Sequence, residues 1–258
     1  MKRKILCGLL AAASLSLPAQ AARPANFQVD GKLLETSAYV DEGTTYAPLR
    51  DLLEAMGDWN VWWDGAAARA VAEDASLSAE PDGNVLTING KRYPCTVDVV
   101  DGRTYVPLRL TAEALGGSVQ WDPWLDGVAV TSPGAEHNAM DYYWLSRIIH
   151  AESGGETLEG QIAVGNVVLN RVASEDFPDS IPEVIFDDEN GVQFEPVSNG
   201  SVINEPTEQS CEAARRALSG ENPVGKALYF FAPALSQGAW INTSRTYQQT
   251  IGCHRFYQ

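Results

Sequence analysis

Histidine is scarce in this chain, with three in 258 residues and none before His137. Neither an H-E-x-x-H nor a P-C-x-x-C occurs, so the ligand spacings of the common zinc proteases and deaminases are missing. Basic residues are few as well: 18 Lys and Arg stand against 34 Asp and Glu, a net charge of −16. That balance excludes charge-driven binding to nucleic acid or to an anionic surface. The one long apolar run, Ile5 to Leu17, is shorter than the roughly 20 residues a membrane span needs. A nucleophile elbow wants a glycine before its serine, and Glu152-Ser153-Gly154-Gly155 has none there.

The apolar run has its own meaning. Lys2, Arg3 and Lys4 precede it and Ala19-Gln20-Ala21 follows, the pattern of a cleavable signal peptide over residues 1–21. Cys7 lies inside the run, which argues against a lipid anchor at that cysteine. The expected mature protein is secreted, extracellular or cell-wall-associated, without a stable membrane anchor, and carries a charge of −19. It keeps Cys95, Cys211 and Cys253. Export permits a disulfide, and Cys211 with Cys253 is the candidate pair because both lie in the C-terminal half; three unpaired thiols are the alternative.

The N-terminal half is a duplication. Asp30-Gly31-Lys32 returns as Asn89-Gly90-Lys91, 59 residues on, and Thr45-Tyr46-Ala47-Pro48-Leu49-Arg50 returns at the same offset as Thr104-Tyr105-Val106-Pro107-Leu108-Arg109. Leu53-Glu54-Ala55-Met56-Gly57 aligns with Ala112-Glu113-Ala114-Leu115-Gly116, and Trp63-Asp64 with Trp121-Asp122 after one deletion. Each copy predicts strand, turn, strand, short helix, strand. The turns fall at Asp30-Gly31, Glu42-Gly43, Asn89-Gly90 and Asp101-Gly102, and the helices follow Pro48 and Pro107 and stop at glycine. No titratable cluster appears in residues 27–131, so no active site is expected there. This duplication resembles the copper amine oxidase N-terminal domain, most clearly at Gly102-Arg103-Thr104-Tyr105-Val106-Pro107-Leu108-Arg109. The resemblance implies a stalk-like or wall-associating module. It implies neither copper nor amine oxidation, since this half holds no histidine. Pro133-Gly134-Ala135-Glu136 then reads as a polar linker.

From Asn138 the periodicity becomes helical. Tyr142, Leu145, Ile148 and Ile149 mark one helix, which Gly154-Gly155 should end with Glu152 at its edge. Thr157 can cap a second helix from Leu158 to about Val172, and a third follows Thr207 and stops at Gly220. The aromatic-rich segments at 227–231, 239–241 and 250–257 suit short strands and loops lining a groove. A carboxylate at a helix end in a semi-apolar cleft has its pKa raised by burial and by the helix dipole, and can then serve as a general acid. The bland alternative for Glu152 is a capping or solvent-facing side chain.

Its surroundings resemble a family. Arg147-Ile148-Ile149-His150-Ala151-Glu152-Ser153-Gly154-Gly155-Glu156 and Glu159 through Arg171 are similar to the opening of the SleB/CwlJ cell-wall hydrolases, the spore cortex-lytic enzyme family. Gln193-Phe194-Glu195-Pro196-Val197, Asn199-Gly200, Ala213 through Gly220 and Ile251 through Tyr257 continue the likeness in order, over residues 139–258. The resemblance implies a mainly helical, lysozyme-like catalytic domain, so the expected fold class is α+β. It implies Glu152 as catalytic residue of a lytic transglycosylase acting on the MurNAc–GlcNAc bond of peptidoglycan glycan strands. One carboxyl suffices for that chemistry, with no cofactor and no metal.

Glu156 is the nearest second carboxylate, but Gly154-Gly155 breaks the helical spacing that would pair it with Glu152, so it is expected to bond backbone in the turn or to orient Glu152. Asp176 and Glu195 are the other candidate bases. Gln193, Phe194, Asn199, Tyr229 and Trp240 are candidate sugar contacts, with hydrophobic core the alternative for Phe194 and Tyr229. His254 reads as a substrate contact or a packed side chain. A rival from another class is a non-catalytic wall-binding or spore structural protein, in which the repeats engage a wall or protein partner.

Overall fold

The computed structural model describes residues 22–36, 38–189, 191–234 and 239–258; the expected signal segment lies outside them. The N-terminal half runs β1 (Arg23–Val29), β2 (Lys32–Leu33), β3 (Ala38–Asp41), β4 (Thr44–Pro48), α1 (Leu49–Met56), β5 (Asn60–Trp63), β6 (Ala68–Val71), β7 (Ser76–Glu80), β8 (Val85–Ile88), β9 (Lys91–Pro94), β10 (Asp98–Val100), β11 (Arg103–Pro107), α2 (Leu108–Ala114), β12 (Ser118–Asp122) and β13 (Gly127–Thr131). The C-terminal half runs α3 (Ala139–Ser153), α4 (Leu158–Val172), α5 (Ile181–Phe186), α6 (Glu195–Asn199), α7 (Glu208–Leu218), β14 (Tyr229–Phe231), α8 (Ala239–Ser244), β15 (Tyr247–Ile251) and β16 (His254–Tyr257). The class is α+β, as expected.

The duplication is written into the strand registers. Tyr39 pairs with Tyr46 across β3–β4, and their equivalents Asp98 and Tyr105 pair across β10–β11. Val29 opposes Lys32 in β1–β2, and Ile88 opposes Lys91 in β8–β9. All four hairpins turn on the expected dipeptides. Asp30, Glu42, Asn89 and Asp101 have φ of 46–50°, and the glycines after them 76–82°. Two successive left-handed residues make a type I′ turn, whose twist matches that of the strands it joins.

The copies meet where β4 pairs with β11: Tyr46 opposes Pro107, Ala47 opposes Val106 and Pro48 opposes Tyr105. Tyr46 and Tyr105 are repeat equivalents, as are Pro48 and Pro107, so the pairing maps onto itself by a pseudo-twofold axis between Ala47 and Val106. The resulting eight-stranded sheet has the order β10-β11-β4-β3-β1-β13-β12, with β2 on β1. Strand β1 lies between β3, antiparallel to it, and β13, parallel to it. Strands β5 to β9 make a separate antiparallel meander. Helix α1 serves both cores: Leu49 and Leu53 pack with Leu77 and Leu86, whereas Leu52 packs with Phe27 and Val130.

In the C-terminal half α3, α4 and α7 pack around Trp144, Leu145, Ile148, Ile149, Val168 and Ala214, all 0–1% exposed. Gly165 lets α4 approach α3, since a Cβ there would lie 2.7 Å from Ile149 Cδ1. The expected Thr157 cap forms, its Oγ1 accepting from Gly160 N (3.2 Å), and Thr207 caps α7 likewise, its Oγ1 accepting from Ser210 N (3.2 Å). Such caps contribute about 1 kcal/mol each. Helices α5 and α6, six and five residues long, carry no readable period, and the sequence reading missed both. The segment Ala239-Trp240-Ile241, expected as strand or loop, is part of helix α8, which at six residues is likewise too short for its period to show.

The two halves are joined by more than a linker. The Trp144 indole N–H donates to Asp122 Oδ2 (2.7 Å), and Phe186 stacks on Trp124 at 5.1 Å while meeting Trp144 edge-on at 4.8 Å. Asn138 caps α3 by accepting from Met140 N and Asp141 N, and its amide donates to Gln120 Oε1 of β12. Among the described residues no helix is long and apolar enough to cross a membrane.

Candidate functional site

Glu152 occupies the last turn of α3, whose inner face is fixed by Leu145, Ile148 and Ile149. The helix stops at the glycines, as expected, with Ser153 its last residue. Gly154 N–H donates to His150 O (2.8 Å) with right-handed φ of −57°, and glycine is needed because a Cβ would lie 2.6 Å from that carbonyl. The Glu152 side chain is half-buried, and among the described residues its carboxyl accepts no hydrogen bond. Burial pushes its pKa from 4.5 up to about 7. The Glu195 charge adds to the rise, and the Arg171 charge opposes it.

Arg171 is the residue the sequence reading did not single out. It lies on the core face of α4, three and four residues beyond Val168 and Val167, and that spacing was the available signal. Its side chain is buried, with Nε–H donating to Leu228 O (2.9 Å) and the guanidinium set among the rings of Phe177, Phe194 and Tyr229 at 5.0, 5.2 and 5.6 Å. Burial lowers its pKa to about 10, opposed by its neighbours Tyr229, Asp187 and Glu152, so it remains a cation at neutral pH. A carboxyl of raised pKa thus faces a buried cation in a wall of aromatic rings. That arrangement can give up a proton and tolerate the carboxylate left behind.

The other expected contacts divide. Phe194 is 2% exposed and packs on Arg171, so its ring forms wall rather than an open platform. Tyr229 is half-buried, and its hydroxyl accepts from Arg245 Nη2 (2.9 Å), whose guanidinium also lies over the ring. Gln193 turns its amide onto Gly191 O (2.9 Å), and exposed Asn199 accepts from Ser201 N (2.9 Å). The Trp240 side chain lies outside the described residues. Asp176 is exposed in the loop after α4, whereas Glu195, at the start of α6, is a carboxylate whose charge acts on Glu152.

Glu156 points elsewhere. It accepts from Cys253 N (3.1 Å) and from Cys253 Sγ (2.7 Å), which holds its pKa below the usual range. His254 beside it is buried and meets Phe230 edge-on at 5.3 Å. The expected Cys211–Cys253 bridge is not formed: all three described cysteines are free. Cys211 on α7 contacts the Tyr142 hydroxyl, while Cys253 sits against Glu156, so the two thiols face different neighbours.

Residues 155–257, beginning just after Glu152, match the family described as Cell Wall Hydrolase; residues 28–128 match the Copper amine oxidase N-terminal domain. The spore cortex-lytic enzyme of Bacillus subtilis (strain 168) is 37% identical over 131 residues, 51% of this chain and 41% of that protein. The chain thus spans less than half the length of that relative. The cell wall hydrolase CwlJ of Oceanobacillus iheyensis is 31% identical over 104 residues, 38% of this chain and 72% of that protein. CwlJ of Bacillus subtilis (strain 168) is 30% identical over 127 residues, 46% of this chain and 86% of that protein. Among solved structures, the catalytic domain of the germination-specific lytic transglycosylase SleB from Bacillus anthracis is 35% identical, with 48% of this chain and 98% of that chain covered and a TM-score of 0.44. With CwlJ proteins matched over most of their length at 30% identity or more, this chain belongs to the cell wall hydrolase family.

Proposed function

We propose that this chain is an exported lytic transglycosylase that cleaves the MurNAc–GlcNAc bond of peptidoglycan, with Glu152 as its single acid and base. The observation that carries the reading is the Glu152 carboxyl, half-buried at a helix end and raised to about 7. At neutral pH it holds a proton to donate to the glycosidic oxygen. The C1–O bond then breaks, and its electron pair leaves with that oxygen. The Glu152 carboxylate removes the proton from the C6 hydroxyl, O6 bonds to C1 and a 1,6-anhydro ring closes. Glu152 ends protonated and no water is consumed. Arg171 stabilises the carboxylate formed midway, and Tyr229 and Gln193 border the sugar path. Residues 139–258 form the cleaving domain in this reading, behind a wall-associating module over 27–131. The names of the relatives, spore cortex-lytic enzyme and germination-specific lytic transglycosylase, favour a cortex substrate.

A second reading rests on Glu195, a carboxylate that acts on Glu152 through its charge. As a general base, Glu195 would activate water and make the enzyme a hydrolase. Digestion of vegetative wall and spore cortex by wild type, Glu152→Gln and Glu195→Gln, with products identified by mass spectrometry, tests both. Anhydro-muramic ends from wild type and Glu195→Gln but not from Glu152→Gln are expected. Reducing muramic ends that vanish in Glu195→Gln would establish the hydrolase. No cleavage of either substrate by wild type would leave a wall-binding protein.

A further inference from the structure

Glu156, Cys253 and His254 form a second cluster that glycan cleavage does not use. Glu156 lies in the turn between α3 and α4, whereas Cys253 and His254 lie in the β15–β16 hairpin, 97 residues away in sequence from Glu156 at Cys253. Cys253 Sγ is 2.7 Å from Glu156 Oε1 and 3.8 Å from His254 Nδ1, and one oxygen, one sulfur and one nitrogen all fall within 4.8 Å of one another. A tetrahedral zinc ion, with bonds of about 2.0–2.3 Å, holds its ligand atoms about 3.5 Å apart. The nitrogen and sulfur are already near that spacing, and a small rotation of the exposed Cys253 side chain away from Oε1 completes it.

Two further features mark the cluster as constructed rather than incidental. Gly252 has φ of +56°, and a Cβ there would overlap Glu156 Oε2, so the hairpin turn is fitted to the carboxylate by its backbone. The His254 ring is 6% exposed and fixed edge-on against Phe230, while Cys253 is open to solvent, leaving a side on which water could serve as fourth ligand.

We propose that Glu156, Cys253 and His254 bind one divalent ion of the zinc class, which clips the turn after Glu152's helix to the last hairpin. A thiolate, an imidazole and a carboxylate suit zinc and disfavour magnesium or calcium, which take oxygen ligands. Binding replaces the S–H bond of Cys253 by a sulfur–metal bond and releases that proton to solvent; nothing is oxidised or reduced. The ion is structural: it holds residues 153–156 and through them the position of Glu152.

Metal binding can be read with no glycan present, so its outcome stands apart from the proposed cleavage. Purified protein, reduced and freed of metal by a chelator, is titrated with Co²⁺ and with Zn²⁺. One equivalent bound tighter than about 1 μM, a thiolate-to-cobalt charge-transfer absorption and a thermal midpoint raised by zinc are expected. Cys253→Ser, at an exposed position, should keep the circular dichroism of wild type and lose all three signals; Cys211→Ser should keep them. Absence of the absorption in wild type, or its survival in Cys253→Ser, overturns the proposal.

Discussion

The buried carboxylate of Asp122 accepts a 2.7 Å hydrogen bond from the Trp144 indole, and this bond crosses from the duplicated module into the helical half. The same carboxylate closes its own turn by accepting from Trp124 N (3.0 Å) and Leu125 N (3.1 Å). Its repeat equivalent, Asp64, closes the matching turn through Ala66 N and Ala67 N but is exposed and pairs with Arg69. One ancestral turn residue has therefore become a docking residue in the second copy only. Asp122→Ala leaves three donors without their acceptor and should cost about 3 kcal/mol in urea denaturation. Asp64→Ala should cost much less. Equal effects would show that the junction bond contributes nothing.

The duplicated turns make a second paired test. Gly31 and Gly90 share a left-handed conformation, but a Cβ on Gly31 would overlap the Tyr142 ring, whereas nothing lies within 4 Å of one on Gly90. Gly90→Ala should cost about 1 kcal/mol, the backbone term alone. Gly31→Ala should cost about 1–3 kcal/mol more, because α3 must shift. Thermal unfolding of both variants in one buffer compares them directly.

The raised pKa of Glu152 sets a pH dependence whose sign is fixed. Between about 4.5 and about 7 the folded protein keeps a proton that the unfolded chain has released, so this group's contribution to stability falls as pH rises through that window. Glu152→Gln removes the dependence. The variant should be more stable than wild type by about 2 kcal/mol at pH 8 and indistinguishable from it at pH 4. Glycan cleavage by wild type should decline above about pH 7 as the acid loses its proton.

Arg171 should separate stability from activity. Arg171→Met places a flexible apolar chain among Phe177, Phe194 and Tyr229 and relieves the burial of a charge, so stability should stay within about 1 kcal/mol of wild type. Without that cation the Glu152 carboxyl moves further up, and the alkaline limb of the cleavage profile moves with it. A profile unchanged in pH would remove Arg171 from the mechanism.

The sequence revealed what is local and repeated. The four I′ turns were legible because Asp-Gly, Glu-Gly and Asn-Gly dipeptides state their backbone conformation directly, and Thr157 and Thr207 announced their helices in the same way. The place of Glu152 at the end of its helix was legible through the glycines after it, whereas its expected role came from the resemblance of the surrounding residues to a family. What brings Glu152 together with Arg171 and Glu195 is the packing of α3, α4 and α6, and no spacing along the chain encodes that. Likewise Glu156 and Cys253 meet only because the last hairpin folds back onto the turn after α3. The expected Cys211–Cys253 bridge failed for the same reason, since nearness along the chain said nothing about which way α7 turns its cysteine.

Strand β1 opens the described chain, yet one of the strands it pairs with is β13, with Asn26 lying beside Gly127. The consequence is one of timing. A chain that emerges N-terminus first cannot complete its central sheet until the end of the duplication has appeared, and a contact so distant in sequence closes slowly. By then Asn138, which caps α3 and reaches back to Gln120, is only a few residues behind. Closure of the central sheet is thus a late event for the N-terminal half, whereas the helical core must still wait for α7 and the last hairpin.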